Sequence, residues 1–271
     1  MLELAIVEEE AVLPDRAEGD VEVWREHGQV CAYGYPARGQ NWLHVPGLAT
    51  FRFLRSDQPV VGIPTGSADG VAVRDAFERT ALPMALQSLG RQVLHASAVR
   101  GAAGVIAFCG DSGTGKSTLA YAAGRRGYRL WADDAVAFDA TGDDVVALPL
   151  PFRIILRPES SAFFGSDADT NVRRPAAVEP EPLAAVVILQ RNEKRGFGVD
   201  VARLSGADAF PAALAQGYCY RPTDAEQNAR MVDDYLELAA RVPVLAARFE
   251  PRFESVEKLL DAIDNVLEER E

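Results

Sequence analysis

Lysine is almost missing from this sequence of 271 residues. It occurs only at Lys116, Lys194 and Lys258, and arginine makes up the rest of the 28 basic residues. Against 40 aspartates and glutamates this leaves a formal net charge of −12. Such a balance lacks the electrostatic footprint of a general nucleic-acid binder, so no nucleic-acid partner is expected. Cysteine is also scarce. Cys31, Cys109 and Cys219 form no C-x-x-C pair and are odd in number, which argues against a zinc site or a disulfide framework and for free thiols in a reducing compartment. No apolar run approaches the roughly 18 residues of a membrane span, so no membrane partner is expected. The stretch MLELAIVEEE has no basic n-region. No signal peptide is expected from it, and the expected location is cytoplasmic. Internal repeats and low-complexity tracts are missing as well.

What is present is ordinary for a soluble globular chain: 48% apolar and 25% charged residues, with enough length for a sizeable core. Residues 1–68 read as short strands and turns. VEVWREHGQVCAYGYP alternates around a turn at His27–Gly28, and ATFRFLRS alternates as a half-buried strand does. A helix is predicted near VAVRDAFERTALPMALQSLG, with Val73, Phe77, Ala81 and Met84 on one face and Gly90 as its stop. Pro83 should kink it or begin a second segment.

From residue 91 the pattern becomes strand–loop–helix–strand. QVLHASAVR reads as a strand, GVIAFCG as a buried strand, STLAYAAGRRG as a helix and YRLWADDAVAF as another strand-like segment. FRIILRPESSAFFG follows as a strand passing into a helix, RRPAAVEPEP as a loop, and LAAVVILQR and VPVLAARF as strands. AEQNARMVDDYLELAAR has a helical pattern, and SVEKLLDAIDNVLEER closes the chain as an amphipathic helix striped by Val256, Leu259, Leu260, Ile263 and Val266. The expected organisation is a small N-terminal β-rich portion ending in a helix, 1–90, followed by a P-loop α/β core, 91–271.

The most informative stretch is GDSGTGKST, residues 110–118, which fits G-x-x-x-x-G-K-[ST] through Gly110, Gly115, Lys116 and Ser117. Glycines let the backbone turn its N–H groups inward, and the helix behind the loop offers unpaired N–H groups and a positive dipole end. Gly110, Asp111, Ser112, Gly113, Thr114, Gly115, Lys116, Ser117 and Thr118 are therefore the expected phosphate cradle. Lys116 would reach β- and γ-phosphate oxygens, and Ser117 would ligate Mg²⁺. The expected ligands are ATP and Mg²⁺. Asp133–Asp134 ends a strand pattern 17 residues after Lys116. One carboxylate there is placed to hold the metal, with Ser117, and a second to take a proton from an attacking hydroxyl. His95 lies in the strand before the loop strand. It reads either as a satisfied core residue or as a polar group that orients an aspartate or contacts phosphate. Arg153 and Arg157, on FRIILR, read either as surface residues or as a clamp for phosphate or a substrate carboxylate.

Taken in order, LHASAV, GDSGTGKST and RGYRLWADD resemble the catalytic domain of the HPr kinase/phosphorylase family. The close match covers residues 91–138. The resemblance implies a phosphoenolpyruvate-carboxykinase-like P-loop fold. It implies that Lys116 and Ser117 bind nucleotide phosphate and Mg²⁺, that one of Asp133 and Asp134 helps hold the metal while the other, by preference Asp134, is the general base toward a serine hydroxyl, and that His95 supports the aspartates and the phosphate. The family's E-x-R-G-x-G loop is absent, and PLPFRIILRPES stands in its place. The resemblance therefore stops short of HPr recognition and the phosphorylase back-reaction. The chain is similar to a divergent branch, some of whose members resemble kinases that phosphorylate the C-terminal serine of a lasso precursor peptide. The expected function is an ATP-dependent serine kinase acting on a peptide or protein. A small-molecule kinase on the same fold and a non-catalytic nucleotide-binding sensor stay open, as does a homo-oligomer.

Overall fold

Short alternating strands with tight turns build the N-terminal sheet. The computed structural model describes residues 2–8, 21–26, 29–54, 58–165, 173–174 and 179–269. The chain divides into two units, residues 1–91 with 218–230, and residues 92–217 with 231–271.

In the first unit β1 (Leu4–Ile6), β2 (Glu22–Glu26), β3 (Gln29–Ala37), β4 (Gln40–Val45), β5 (Ala49–Phe53) and β6 (Val60–Pro64) form one sheet in the order β1-β6-β5-β4-β3-β2. Only the β1–β6 pair is parallel. The turn expected at His27–Gly28 lies outside the described residues. β5 departs from the half-buried reading of ATFRFLRS, because four of its five residues are buried. It is an interior strand: on one face Phe51 packs on Phe77 and Phe53 on Tyr220, and on the other the buried Thr50 hydroxyl meets Nδ1 of its cross-strand partner His44 at 2.9 Å while Arg52 stays half-buried.

The predicted helix is split. Asp69 caps α1 (Gly70–Ala76) by accepting from the Ala72 N–H, a π turn follows at Phe77–Ala81, and α2 (Leu82–Ser88) begins with Pro83 in its first turn. Proline lacks the N–H that a continuous helix would need there, and a widened turn absorbs the loss.

Residues 218–230 belong to this unit through Tyr220 and Gln227. The Tyr220 hydroxyl donates to the Trp42 carbonyl at 2.7 Å, its N–H donates to Gln87 Oε1 at 2.7 Å, and Gln227 Nε2 donates to the Gln87 carbonyl at 2.8 Å. Tyr220 and Gln87 are fully buried. Tyr220→Phe should therefore cost about 1–2 kcal/mol, read as a lower urea midpoint with an unchanged slope, since it leaves a buried carbonyl short of one donor.

The second unit contains β7 (Gln92–Leu94), β8 (Ala96–Gly101), β9 (Gly104–Cys109), α3 (Lys116–Arg125), β10 (Arg129–Ala132), β11 (Val136–Asp139), β12 (Val146–Leu148), β13 (Phe152–Arg153), α4 (Pro158–Phe164), β14 (Arg173–Arg174), β15 (Glu181–Arg191), β16 (Val199–Arg203) and α5 (Gly206–Leu214). α6 (Ala225–Arg241), β17 (Val244–Phe249) and α7 (Glu254–Glu268) complete the chain. β15 is the central strand. It runs parallel to β9 on one side and to β17 on the other, with β8 and then β10 antiparallel beyond β9 and β16 beyond β17. Its first residues also pair with β12, which continues through β11 to β7. Leu119, Ala120 and Ala123 of α3 and Leu259, Leu260 and Ile263 of α7 bury one face of this sheet against Ile106, Phe108, Val187 and Leu245. The stripe expected on the closing helix is the one that packs, with Val256 and Val266 at its margins.

Two continuous strand readings are corrected. QVLHASAVR breaks at His95, whose N–H donates to the Gln216 carbonyl at 2.7 Å, so β7 pairs with β11 while β8 pairs with β9 and β10. YRLWADDAVAF breaks at Asp133–Asp134, and its halves pair with different strands. β12 and β16 have no counterpart in the sequence reading. The first has three residues, and the second is an edge strand with no fully buried position. RRPAAVEPEP, expected as a loop, is strand at both ends, with Arg173–Arg174 forming β14 and Glu181–Pro182 opening β15, and residues 175–178 lie outside the described residues.

Candidate functional site

The site is built where β9 ends. Six consecutive buried residues, Gly104–Cys109, carry the chain through the sheet and release it at Gly110. Gly110 takes φ 140°, and a Cβ there would stand 2.8 Å from the Leu189 carbonyl oxygen, so only glycine lets the loop start this close to β15. The loop is closed by Thr114, whose N–H and hydroxyl both donate to the Asp111 carbonyl, at 3.1 and 2.8 Å. Helix α3 then begins at Lys116 without a side-chain cap, which leaves its first N–H groups for the loop interior.

Lys116 folds back over this loop. Its Nζ donates to the carbonyls of Gly110 and Asp111, at 2.8 and 3.2 Å, and the residue is 7% exposed. Burial lowers its pKa below the ordinary lysine value, opposed chiefly by Asp134, with smaller contributions from Cys109, Asp133 and Asp111. Burial pushes the neighbouring Cys109 thiol up to about 12, so it is an inert part of the core rather than a nucleophile.

Asp133 is the best-held acid of the site. Its Oδ1 accepts from the Ser117 hydroxyl at 2.8 Å and from the Ser97 hydroxyl at 2.5 Å, and the two serine oxygens are 3.4 Å apart. The Asp134 N–H supplies a further hydrogen bond to its carboxylate. Burial and the adjacent Asp134 charge nevertheless push Asp133 up to about 6. A cation at this position would act in the opposite direction. Asp134 itself adopts φ 65°, one of two positive values among described non-glycine residues, and it is less buried than Asp133. This left-handed turn ends β10 and brings two consecutive carboxylates to the loop.

The structure brings Arg157 to the loop as well. The strand expected over FRIILR ends at Arg153, and beyond it Ile154 and Leu156 are buried with Phe152, with Tyr121 and Phe164 packed against them, while Arg157 is exposed. Its guanidinium lies against Gly113, where a Cβ would be 3.1 Å from one of its nitrogens. Three residues on, the hydroxyls of Ser160 and Thr118 are 2.9 Å apart, which ties α4 to α3. Arg153 lies half-buried on β13, in register with Arg173. His95 lies half-buried at the strand break, two residues before Ser97. Ser97 was not singled out by sequence reasoning, although it stands inside LHASAV. A serine among alanines on a buried strand gives no signal until its partner is known.

The donor set fits the expected ligands. Uncapped helix N–H groups, a buried ammonium and a loop whose glycines, Gly110, Gly113 and Gly115, all take positive φ suit phosphate oxygens. The Ser117 hydroxyl and the Asp133 carboxylate are hard oxygen donors, suited to Mg²⁺. Among the described residues no group of three or more His, Cys, Asp or Glu could hold a metal ion by itself. A metal that completes its shell with phosphate oxygens and water fits two protein donors of this kind. Among the described residues no helix is long and apolar enough to cross a membrane.

No protein-family model and no curated protein matches the sequence. Among solved structures the chain is similar to the HPr(Ser) kinase/phosphatase from Coxiella burnetii, at 13% identity and a TM-score of 0.36, over 66% of this chain and 99% of that one. A likeness of this degree says nothing of function, and the chemistry has to be read from the site itself.

Proposed function

We propose that the protein is an ATP-dependent serine kinase that transfers the γ-phosphoryl group to a peptide or protein hydroxyl, on a phosphoenolpyruvate-carboxykinase-like P-loop core. The observation that carries this reading is the division of labour between the two aspartates. Asp133 already receives two hydroxyls and an N–H. A carboxylate so surrounded and so buried is fixed in place and withdrawn from an incoming acceptor hydroxyl, suited to holding a metal with Ser117 whose charge would bring its raised pKa back down. Asp134, less buried and next to Lys116, is left to act as base.

In this reading the loop N–H groups and Lys116 hold the β- and γ-phosphates. Ser117 and Asp133 would hold Mg²⁺, which when bound draws charge from the phosphate oxygens. Asp134 accepts the proton of the serine hydroxyl as its oxygen bonds to the γ-phosphorus, and the bond to the β-phosphate oxygen breaks to release ADP. Arg157, against Gly113, supplies a cation at the mouth of the loop for phosphate or an acceptor carboxylate. His95, two residues before Ser97, would orient Asp134 or phosphate.

The resemblance to the divergent branch would make the C-terminal serine of a lasso-type precursor a candidate acceptor, in a cytoplasmic setting. The test is incubation of the purified protein with γ-labelled ATP, Mg²⁺ and the peptides encoded beside it, followed by phosphoamino-acid analysis. Phosphoserine is expected. ATP binding with no transfer to any peptide or protein would move the reading to a small-molecule acceptor or a sensor.

A further inference from the structure

From the geometry around Asp133 we infer that Ser97 is a positioning residue for the metal. It would fix the Asp133 carboxylate without touching the cation. The inference rests on the metal assignment made above. Ser97 is fully buried on β8 between Ala96 and Ala98, themselves buried, in a stretch where a hydroxyl costs free energy unless it is bonded. Its bond is the 2.5 Å contact to Asp133 Oδ1. The same oxygen accepts from Ser117 at 2.8 Å, and neither serine takes Oδ2.

The two serines are not equivalent. Ser117 opens α3 beside Lys116, inside the phosphate motif, and its oxygen is the one suited to a cation. Ser97 comes from the strand on the far side of β9 from β15 and contributes only a donor. A carboxylate held at one oxygen by a buried hydroxyl keeps its rotamer when Ser117 turns its lone pairs to a metal. Without Ser97, Asp133 would be buried beside Asp134 with one hydroxyl donor instead of two, and once Ser117 turned to the metal only the Asp134 N–H would be left to hold its carboxylate. A buried serine–aspartate pair is no more stabilising than a well-packed apolar pair of similar volume, so stability alone gives no reason for it to be here. Partners that orient a metal ligand typically change metal affinity about 10–100-fold when they are removed.

The experiment is a titration of the full chain with Mn²⁺, followed by electron paramagnetic resonance in the presence of a non-hydrolysable ATP analogue. The proteins are wild type, Ser97→Ala, Ser97→Cys, Ser97→Thr and Ser117→Ala. Affinity for the analogue in EDTA is measured in parallel, and melting curves establish that each variant is folded. The expected result is Mn²⁺ binding about tenfold weaker in Ser97→Ala and Ser97→Cys, with analogue affinity in EDTA unchanged. Ser97→Thr, which keeps the hydroxyl, should stay within about twofold of wild type. Cysteine keeps the shape of serine with a much weaker donor, so it tests the hydroxyl even if the alanine variant fails to fold. Wild-type Mn²⁺ affinity in either the alanine or the cysteine variant overturns the inference. So does a loss of analogue binding in EDTA that matches the loss of metal, because it would mark a collapse of the whole loop. Ser117→Ala separates the two levels. If it loses Mn²⁺ while the Ser97 variants do not, the metal reading stands and the role of Ser97 falls. If it binds Mn²⁺ like wild type, both fall.

Discussion

Lys116→Ala should weaken ATP binding by about 100-fold and remove most of the stabilisation that ATP confers on the fold. The ammonium is buried with two neutral carbonyls as its hydrogen-bond partners, at 2.8 and 3.2 Å, in a loop that also carries Asp111 and faces Asp133 and Asp134. Remove it and the cradle keeps its N–H groups but becomes an anionic surface toward a polyanion. Charge-assisted bonds of this kind are roughly twice as strong as neutral ones, and two of them lost account for about two powers of ten. The readout needs no acceptor. At a concentration of ATP·Mg²⁺ near 100 times the wild-type Kd, the wild type should gain about 2.7 kcal/mol of stability, and a variant binding 100-fold more weakly about 0.4 kcal/mol. Lys116→Arg should behave like alanine. The guanidinium is wider and flat, and the space between the Gly110 and Asp111 carbonyls is shaped around a single ammonium. An ATP-dependent melting shift in Lys116→Ala equal to that of wild type would remove the loop from its assigned role.

The parts of this site differ in how openly the sequence displays them. The phosphate loop is legible because its residues are costly anywhere else. Gly110 has no space for a side chain against Leu189, and a buried lysine in a chain with three lysines has little reason to exist without a ligand. The closing helix was legible because its apolar stripe is long and its period unambiguous. The bends were hidden. YRLWADDAVAF carries apolar residues on both sides of its aspartates and no glycine or proline. The turn comes instead from a positive φ at Asp134, which aspartate tolerates better than most residues and therefore does not announce. The break at His95 is set by a carbonyl 121 positions away, that of Gln216, and no local pattern encodes such a partner. Ser97 was hidden for the opposite reason. Its surroundings are what a small core residue would have, and its function appears only when Ser117 and Asp133 arrive from α3 and the end of β10. FRIILR offered Arg153 and Arg157 alike as surface residues or a clamp, and the seat of Arg157 against Gly113 is a tertiary fact.

Asp134→Asn should reduce phosphoryl transfer by about a thousandfold while leaving ATP binding within a few-fold of wild type. Asparagine keeps the size and also accepts the left-handed backbone at φ 65°, so the turn and the hydrogen bond from its N–H to Asp133 persist. What is lost is a proton acceptor, and general base catalysis contributes roughly 10²–10⁴-fold. The electrostatic effect on stability should be small, because the Asp134 charge favours Lys116 and opposes Asp133 at the same time. The backbone can be tested separately with two variants that both lack the carboxylate. In the left-handed region a Cβ costs about 1–2 kcal/mol, partly offset by the greater freedom of glycine in the unfolded chain. Asp134→Gly should therefore be more stable than Asp134→Ala by about 1 kcal/mol, and both should be inactive. An alanine variant as stable as the glycine variant would show that the turn is not strained. Transfer at the wild-type rate in Asp134→Asn would pass the base to another residue, and Asp133, with a pKa pushed up to about 6, is the one that would have to take it.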